Sequence, residues 1–187
     1  MFEFPTREDM LKVLIEPSSV CAEIGVFDGN FSKKIEELNP SEFYMIDLFT
    51  GLCDSGDQDG NNVVKRNLDQ CYVTLLEYAR NRRNLRIVKS RSVDALNSFP
   101  DNFLDMVYID GDHSYEGTRA DLEASIRKVK HNGWIFGHDY EMNMAKARTH
   151  YQFGVKQAVD EFCQKYRQVI TAKAMDGCVS FGIQVIK

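Results

Sequence analysis

The sequence predicts an α/β protein built on a mostly parallel sheet with helices on both faces. Three observations predict it. Short apolar runs rich in Val, Ile, Tyr and Phe alternate along the chain with stretches of helical period. Several of those runs end abruptly in acids, at the strand ends where open α/β sheets place their ligand-binding groups. The last two runs follow each other with no helix between them, so that pair must be antiparallel.

Residues 7–16 place Met10, Val13 and Leu14 at helical spacing, and Pro17-Ser18-Ser19 ends that helix. Val20–Gly25 is a first strand. Gly29-Asn30 opens a helix carrying Phe31, Ile35 and Leu38, which Asn39-Pro40 stops. Phe43–Ile46 is a second strand, ending at Asp47. Residues 49–62 form a polar loop longer than most connections in compact domains, either a lid or a solvated insertion. Its Asp-Gln-Asp-Gly piece is no calcium loop, because Ser55 and Arg66 stand where that motif wants acids. A helix from about Val63 to Asn81, a strand Leu85–Val88 and a short helix Ser92–Phe99 follow. Strand 103–109 leads into a helix from Tyr115 to Lys130, whose charged residues Arg119, Asp121, Glu123, Arg127 and Lys128 read as a solvated face. Asn132-Gly133 turns into strand 134–137. A helix over 154–166 puts Val155, Ala158, Val159 and Phe162 on one face. Val169–Thr171 and Val179–Val185 close the sheet around a turn at Asp176-Gly177.

The chain has 187 residues, enough for a substantial core, and reads as one domain over 1–187 without repeats or a linker. Its net charge of −5 speaks against a nucleic-acid partner. No apolar run is long enough to span a bilayer, and Met1–Thr6 lacks the basic and apolar segments of a secretion signal. The five cysteines, at 21, 53, 71, 163 and 178, include no C-x-x-C, which disfavours a zinc or disulfide framework and fits a reducing cytoplasm. Cys21, inside an apolar run, reads as a small core residue.

Two regions carry chemistry. Glu23-Ile24-Gly25-Val26-Phe27-Asp28-Gly29 joins the first strand to its helix, where glycines let backbone approach a ligand ahead of a helix N-terminus. The dinucleotide pattern G-x-G-x-x-G is absent, since Phe27 and Asn30 stand where it wants glycines. Glu23 suits a ligand with an ammonium group, and Asp47 is placed to accept ribose hydroxyls. The second region is Tyr108–Glu116, where an apolar strand runs into Asp110, Asp112 and His113; the pattern recurs as Trp134–Gly137 runs into His138-Asp139. Such groups are costly to leave unpaired at a strand end, and they suggest a metal, a proton transfer, or both. Asp112 either orients a histidine or caps the helix that starts near Ser114. Tyr115 and Tyr140 are expected to pack over the site, and His131 and His150 to be surface residues.

With Ile109–Tyr115, Glu116–Leu122, Gly137–Tyr140 and Phe153–Val159, the chain resembles the class I S-adenosylmethionine-dependent methyltransferases over roughly residues 20 to 165. Within them it is most similar to the small-molecule O-methyltransferase-like branch, of the methyltransferase domain family 24 type. The resemblance implies a Rossmann-like, seven-stranded sheet with an antiparallel last strand. It implies that Glu23 and Gly25 face the methionine part of S-adenosylmethionine, in a cofactor site that also takes in Phe27, Gly29 and Asp110. Asp47 would hold the ribose, and Ser92 the adenine, although Ser92 also reads as an N-cap for residues 93–98.

Methyl transfer to oxygen is an in-line displacement at a sulfonium carbon, so the protein positions the acceptor and removes its proton. By resemblance to metal-dependent sugar O-methyltransferases, His113, three residues after the metal-binding Asp110, is the general base. The same resemblance makes Asp110, His138 and Asp139 the ligands of a divalent metal, Mg or Mn. His138 departs from the oxygen ligand that relatives carry there, and an imidazole favours Mn, Fe or Zn over Mg. The expected acceptor is a small hydroxylated molecule, a sugar first. Its pocket would draw on the 49–62 loop, the 140–152 segment and a second subunit, which leaves a homo-oligomer open. The alternative from another class is a catalytically silent cofactor-binding module acting through a partner. The absence of an Asn-Pro-Pro-Tyr or Asp-Pro-Pro-Tyr motif disfavours a nucleic-acid methyltransferase.

Overall fold

In a computed structural model, residues 1–55, 64–141 and 154–187 are described. In chain order the elements are β1 (Phe2–Phe4), α1 (Arg7–Leu14), β2 (Val20–Ile24), α2 (Asn30–Glu36), β3 (Glu42–Asp47), β4 (Leu52–Ser55), β5 (Val64–Asn67) and α3 (Leu68–Ala79). They continue with β6 (Leu85–Lys89), α4 (Ser92–Ser98), β7 (Leu104–Ile109), α5 (Tyr115–Lys128), β8 (Val129–Glu141), α6 (Val155–Tyr166), β9 (Ala172–Asp176) and β10 (Cys178–Gln184). Eight strands form one sheet in the order β6-β3-β2-β7-β8-β10-β9-β1. Every neighbouring pair is parallel except the two made by β10, which runs against both β8 and β9. The expected antiparallel last strand is therefore present. The sheet holds one strand more than the seven expected, because Phe2–Phe4 adds parallel to β9 at the edge. A three-residue strand is too short to show a period, so only its pairing reveals it.

The helices divide between the two faces. Met10 and Leu11 of α1, Ile35 of α2 and Leu75 of α3 pack on one side of the sheet. Ala95 and Leu96 of α4, Leu122 and Ile126 of α5, and Val155, Ala158, Val159 and Phe162 of α6 pack on the other. Cys21 is fully buried, and burial, with help from Asp105, pushes its thiol up to about 12. Caps set the helix starts. Thr6 accepts from Asp9 N at 3.1 Å, and Ser114 accepts from Gly117 N at 3.1 Å.

Four expectations need correction. The helix read from Val63 begins only at Leu68: residues 64–67 pair with Leu52–Ser55 as an antiparallel hairpin, and Asn67 caps α3 by accepting from Gln70 N at 3.2 Å. Residues 56–63 and 142–153 lie outside the described residues, and with them the centre of the supposed lid, most of the 140–152 segment and His150. The strand read at Val169–Thr171 sits at Ala172–Asp176, because small Ala172 and Ala174 fit the sheet's buried face while Val169 is 66% exposed. In α1, Val13 faces solvent and Leu11 takes the core position. In α5, Asp121 and Lys128 are buried; Lys128 donates to the Phe99 carbonyl and to Asp101, so its charge is satisfied under the surface. Among the described residues, no helix is long and apolar enough to cross a membrane.

Candidate active site

The carboxyl ends of β2, β3, β6 and β7 open onto one cleft of about 860 Å³, within the range of small-molecule sites. The turn after β2 shapes its floor. Gly25 has φ +84°, and a Cβ there would lie 2.1 Å from the Asp110 carbonyl oxygen, so the turn after β2 passes the end of its parallel neighbour β7 at a point that only glycine fits. Asp47, at the end of β3, holds the same turn: one carboxylate oxygen accepts from Val26 N at 2.9 Å and Phe27 N at 3.0 Å, and the other from Phe49 N at 2.8 Å. Phe27, with φ +56°, is pinned there in a left-handed conformation. Gly29, also left-handed at φ +77°, is the N-cap of α2 and packs against Leu75 rather than lining the cleft.

Glu23 lies at the base of the cleft, 1% exposed, and its carboxylate accepts from the Ser32 hydroxyl. Burial pushes its carboxyl up to about 8; Ser32 and Arg7 counteract this, and Asp110 and Asp47 reinforce it. Ser92 lies on another wall, but it is the first residue of α4 and makes no cap; its hydroxyl donates to Asp121 of α5. Asp121 also lines the cleft, and burial, reinforced by Asp112, lifts it to about 6 against the pull of Ser92.

The reacting end is built by β7 and a bulge in β8. Gly137 opposes Phe181 and Glu141 opposes Val179, so His138, Asp139 and Tyr140 face the single residue Ser180. The excess residues, with Asp139 at φ +57°, turn the strand's end toward Asp110. His113 Nε2 lies 3.2 Å from Asp110 Oδ1 and 3.3 Å from Asp139 Oδ2. His138 Nδ1 lies 3.1 Å from Asp139 Oδ1 and 3.8 Å from Asp110 Oδ1. Two carboxylates are thus flanked by two imidazoles. Burial works against a charge on His113, but Asp110, Asp139 and Asp112 outweigh it and raise its pKa. Asp139 is lowered despite its own burial, because His138 and His113 stabilise the carboxylate. One ligand atom each from Asp110, His113 and Asp139 lies within 4.8 Å of the others, a spacing that fits a divalent cation.

Glu23, Gly25, Phe27, Asp47, Ser92, Asp110 and His113 therefore share one cleft. His138 and Asp139 are not among its lining residues, but they adjoin the lining residues Asp110 and His113. Asp112 accepts from Ser114 N at 2.9 Å, two residues before the true cap at Ser114. Tyr115 and Tyr140 do not cover the cleft: their hydroxyls go to Glu161 and Asp160 of α6. Sequence reasoning missed Arg7 and Asp121, both in the cleft wall. Asp121 shares a helical face with Thr118, Leu122 and Ser125, all buried, and that spacing was a readable signal. For Arg7 no local signal exists.

A family model described as a methyltransferase domain matches residues 22–140. No curated protein matches the chain. Among solved structures, the O-methyltransferase NovP superposes with a TM-score of 0.69 at 19% identity, over 97% of this chain and 80% of that one. The N-methyltransferase NodS from Bradyrhizobium japonicum WM9, in complex with S-adenosyl-l-homocysteine, gives 0.67 at 9% identity over 97% and 85%. A precorrin-6y C5,15-methyltransferase from Geobacter metallireducens GS-15 gives 0.62 at 16% identity over 95% and 84%. At these identities the likeness shows the fold, and the differing acceptors of these proteins show that the fold does not fix the acceptor.

Proposed function

The chain belongs to the methyltransferase domain family and has the fold of class I S-adenosylmethionine-dependent enzymes, and on that premise we propose that it transfers a methyl group from S-adenosylmethionine to a hydroxyl of a small acceptor with the help of a divalent cation. The observation that carries this reading is the group Asp110, His113, Asp139 and His138, gathered where the donor cleft meets the bulged end of β8. In this reading the hydroxyl oxygen attacks the methyl carbon, the carbon–sulfur bond breaks with its electrons going to sulfur, and the hydroxyl proton passes to the protein. Glu23 takes the donor's ammonium, Asp47 its ribose and Ser92 its adenine. Asp110 and Asp139 would hold the cation, with His138 next to both carboxylates. The cation would acidify the acceptor hydroxyl. His113 lines the cleft and takes the proton. One geometric fact favours a second assignment, in which His113 itself is the third ligand, because its Nε2 lies within reach of both carboxylates.

The test is transfer of labelled methyl from S-adenosylmethionine to a panel of sugars and other hydroxylated acceptors, with and without Mn²⁺ or Mg²⁺. Cation-dependent product, with S-adenosylhomocysteine binding to the protein, supports the reading. Binding without transfer to any acceptor favours a silent cofactor-binding module, and absence of binding overturns the donor assignment. His113→Ala separates the two assignments: Mn²⁺ affinity is kept if His113 is the base and lost if it is a ligand.

A further inference from the structure

Arg7 is a fixed cation in a cleft whose walls are otherwise rich in acids. It opens α1, well before the segment that matches the family model. The helix is anchored beneath it by fully buried Met10 and Leu11. Its guanidinium lies over the Phe31 ring, 4.1 Å from the centroid, and Nη1 donates to Asp110 Oδ2 at 3.2 Å. Its charge also opposes the burial that raises the pKa of the buried Tyr108 hydroxyl. These contacts fix the plane of the guanidinium at the Glu23 end of the cleft, close enough for Arg7 to stabilise the Glu23 carboxylate. Among the described residues, the other arginine of the cleft, Arg91, is exposed at the N-terminus of α4 next to Ser92, at the opposite wall.

The amino-acid tail of the donor is a zwitterion. Its ammonium finds an acid in Glu23, but its carboxylate would face Asp110 and Glu23 unless a cation stood between. A guanidinium stacked on an aromatic face keeps its N–H edge in plane, the arrangement that receives a carboxylate through two parallel hydrogen bonds. We propose that Arg7 binds the α-carboxylate of the donor, so that Glu23 and Arg7 together read the amino-acid tail as a charge pair. This rests on the donor assignment made above. It adds to the cofactor site a residue from an N-terminal helix outside the family-matched segment. It also gives Asp110 a role toward the donor, as the acid that orients Arg7.

The experiment is calorimetric titration with two ligands, S-adenosylhomocysteine and its decarboxylated analogue S-adenosyl-3-thiopropylamine, which keeps the ammonium and lacks the carboxylate. The wild-type protein is expected to bind the first about 10- to 100-fold more tightly, the value of one charge-assisted pair in a half-buried site. Arg7→Gln is expected to bring that ratio close to one by weakening S-adenosylhomocysteine far more than the amine, which loses only the help Arg7 gives the Glu23 carboxylate, and Arg7→Lys to restore part of it. An unchanged ratio in Arg7→Gln overturns the proposal. Equal weakening of both ligands also overturns it, since that marks a purely structural role through Asp110. The wild-type protein alone is a second check that needs no variant: equal affinity for the two ligands refutes the assignment. Binding of neither ligand by the wild type would instead overturn the donor reading itself, and that result is distinct from all the others.

Discussion

Glu23 is where the fold and the ligand make opposite demands, and replacing it by glutamine separates them. In the ligand-free protein its carboxyl titrates near 8, chiefly because it is buried, whereas an unfolded chain releases that proton near 4.5. Between those two values the folded state holds a proton that the unfolded state has lost. Stability therefore falls as pH rises through this window, and levels off above it. At about 1.4 kcal/mol per pH unit the upper bound on the loss is about 5 kcal/mol, and relaxation around the group brings the expected figure to about 2 kcal/mol. Glutamine has nearly the same shape, and its carbonyl oxygen still accepts from the Ser32 hydroxyl, so Glu23→Gln removes the titration and keeps the contact. The variant and the wild type should unfold alike at pH 4 in urea. By pH 8 the variant should be more stable by about 2 kcal/mol, or roughly 4–8 °C in Tm. The same variant should bind S-adenosylhomocysteine at least about 10-fold more weakly, because a neutral amide replaces the acid proposed to pair with the ammonium. Wild-type affinity should rise toward pH 8 as Glu23 ionises, and the variant's should not. Parallel stability curves for the two proteins from pH 4 to 9 would refute the reasoning, since Glu23 would then titrate normally.

Gly25→Ala puts a methyl group 2.1 Å from the Asp110 carbonyl oxygen at φ +84°, so urea unfolding should show a loss of about 3 kcal/mol or more. Asp47→Ala releases the three amides of Val26, Phe27 and Phe49, and calorimetry should record a loss of S-adenosylhomocysteine affinity of about 30-fold or more. Asp139→Asn should abolish any dependence of methyl transfer on Mn²⁺ while leaving S-adenosylhomocysteine affinity within about 3-fold of wild type; an equal loss of donor affinity would place Asp139 in the donor site instead.

The β2–α2 turn and the strand ends at Asp47 and Asp110 were legible because each combines a β-rich run with an abrupt change of residue type; the same change at His138-Asp139 was legible, but it falls inside β8 rather than at its end. The helix on either side of Asp121 was legible too, but its charged residues were assigned to solvent. Asp121 and Lys128 lie on its buried side, and each is tolerated there by a specific partner, Ser92 and Asp101 respectively, contributed by distant segments. Such partners leave no trace in local periodicity. The hairpin at 52–55 and 64–67 was hidden for a related reason: a short paired strand ahead of a helix looks, residue by residue, like the helix's own first turn. Arg7 depends on a contact across 103 positions of the chain, with Asp110. The bulge that presents Asp139 was likewise invisible, because it is defined only by the partner strand.

That bulge follows a rule of parity. Between its two flanking pairs, β8 advances four residues, Gly137 to Glu141, while β10 advances two, Phe181 to Val179. Both steps are even. Side chains on a strand change face at each residue, so an excess of two restores the original orientation beyond the bulge, whereas an excess of one would invert it. Glu141 therefore stays on the face that carries Phe181 and Val179, at the strand's exposed end, where Lys173, the cross-strand partner of Phe181 on that face, meets it. A strand can gain a reactive corner in steps of two without disturbing the alternation that seals the sheet on either side, so the fold should accept residues inserted next to 138–140 in pairs and reject single ones.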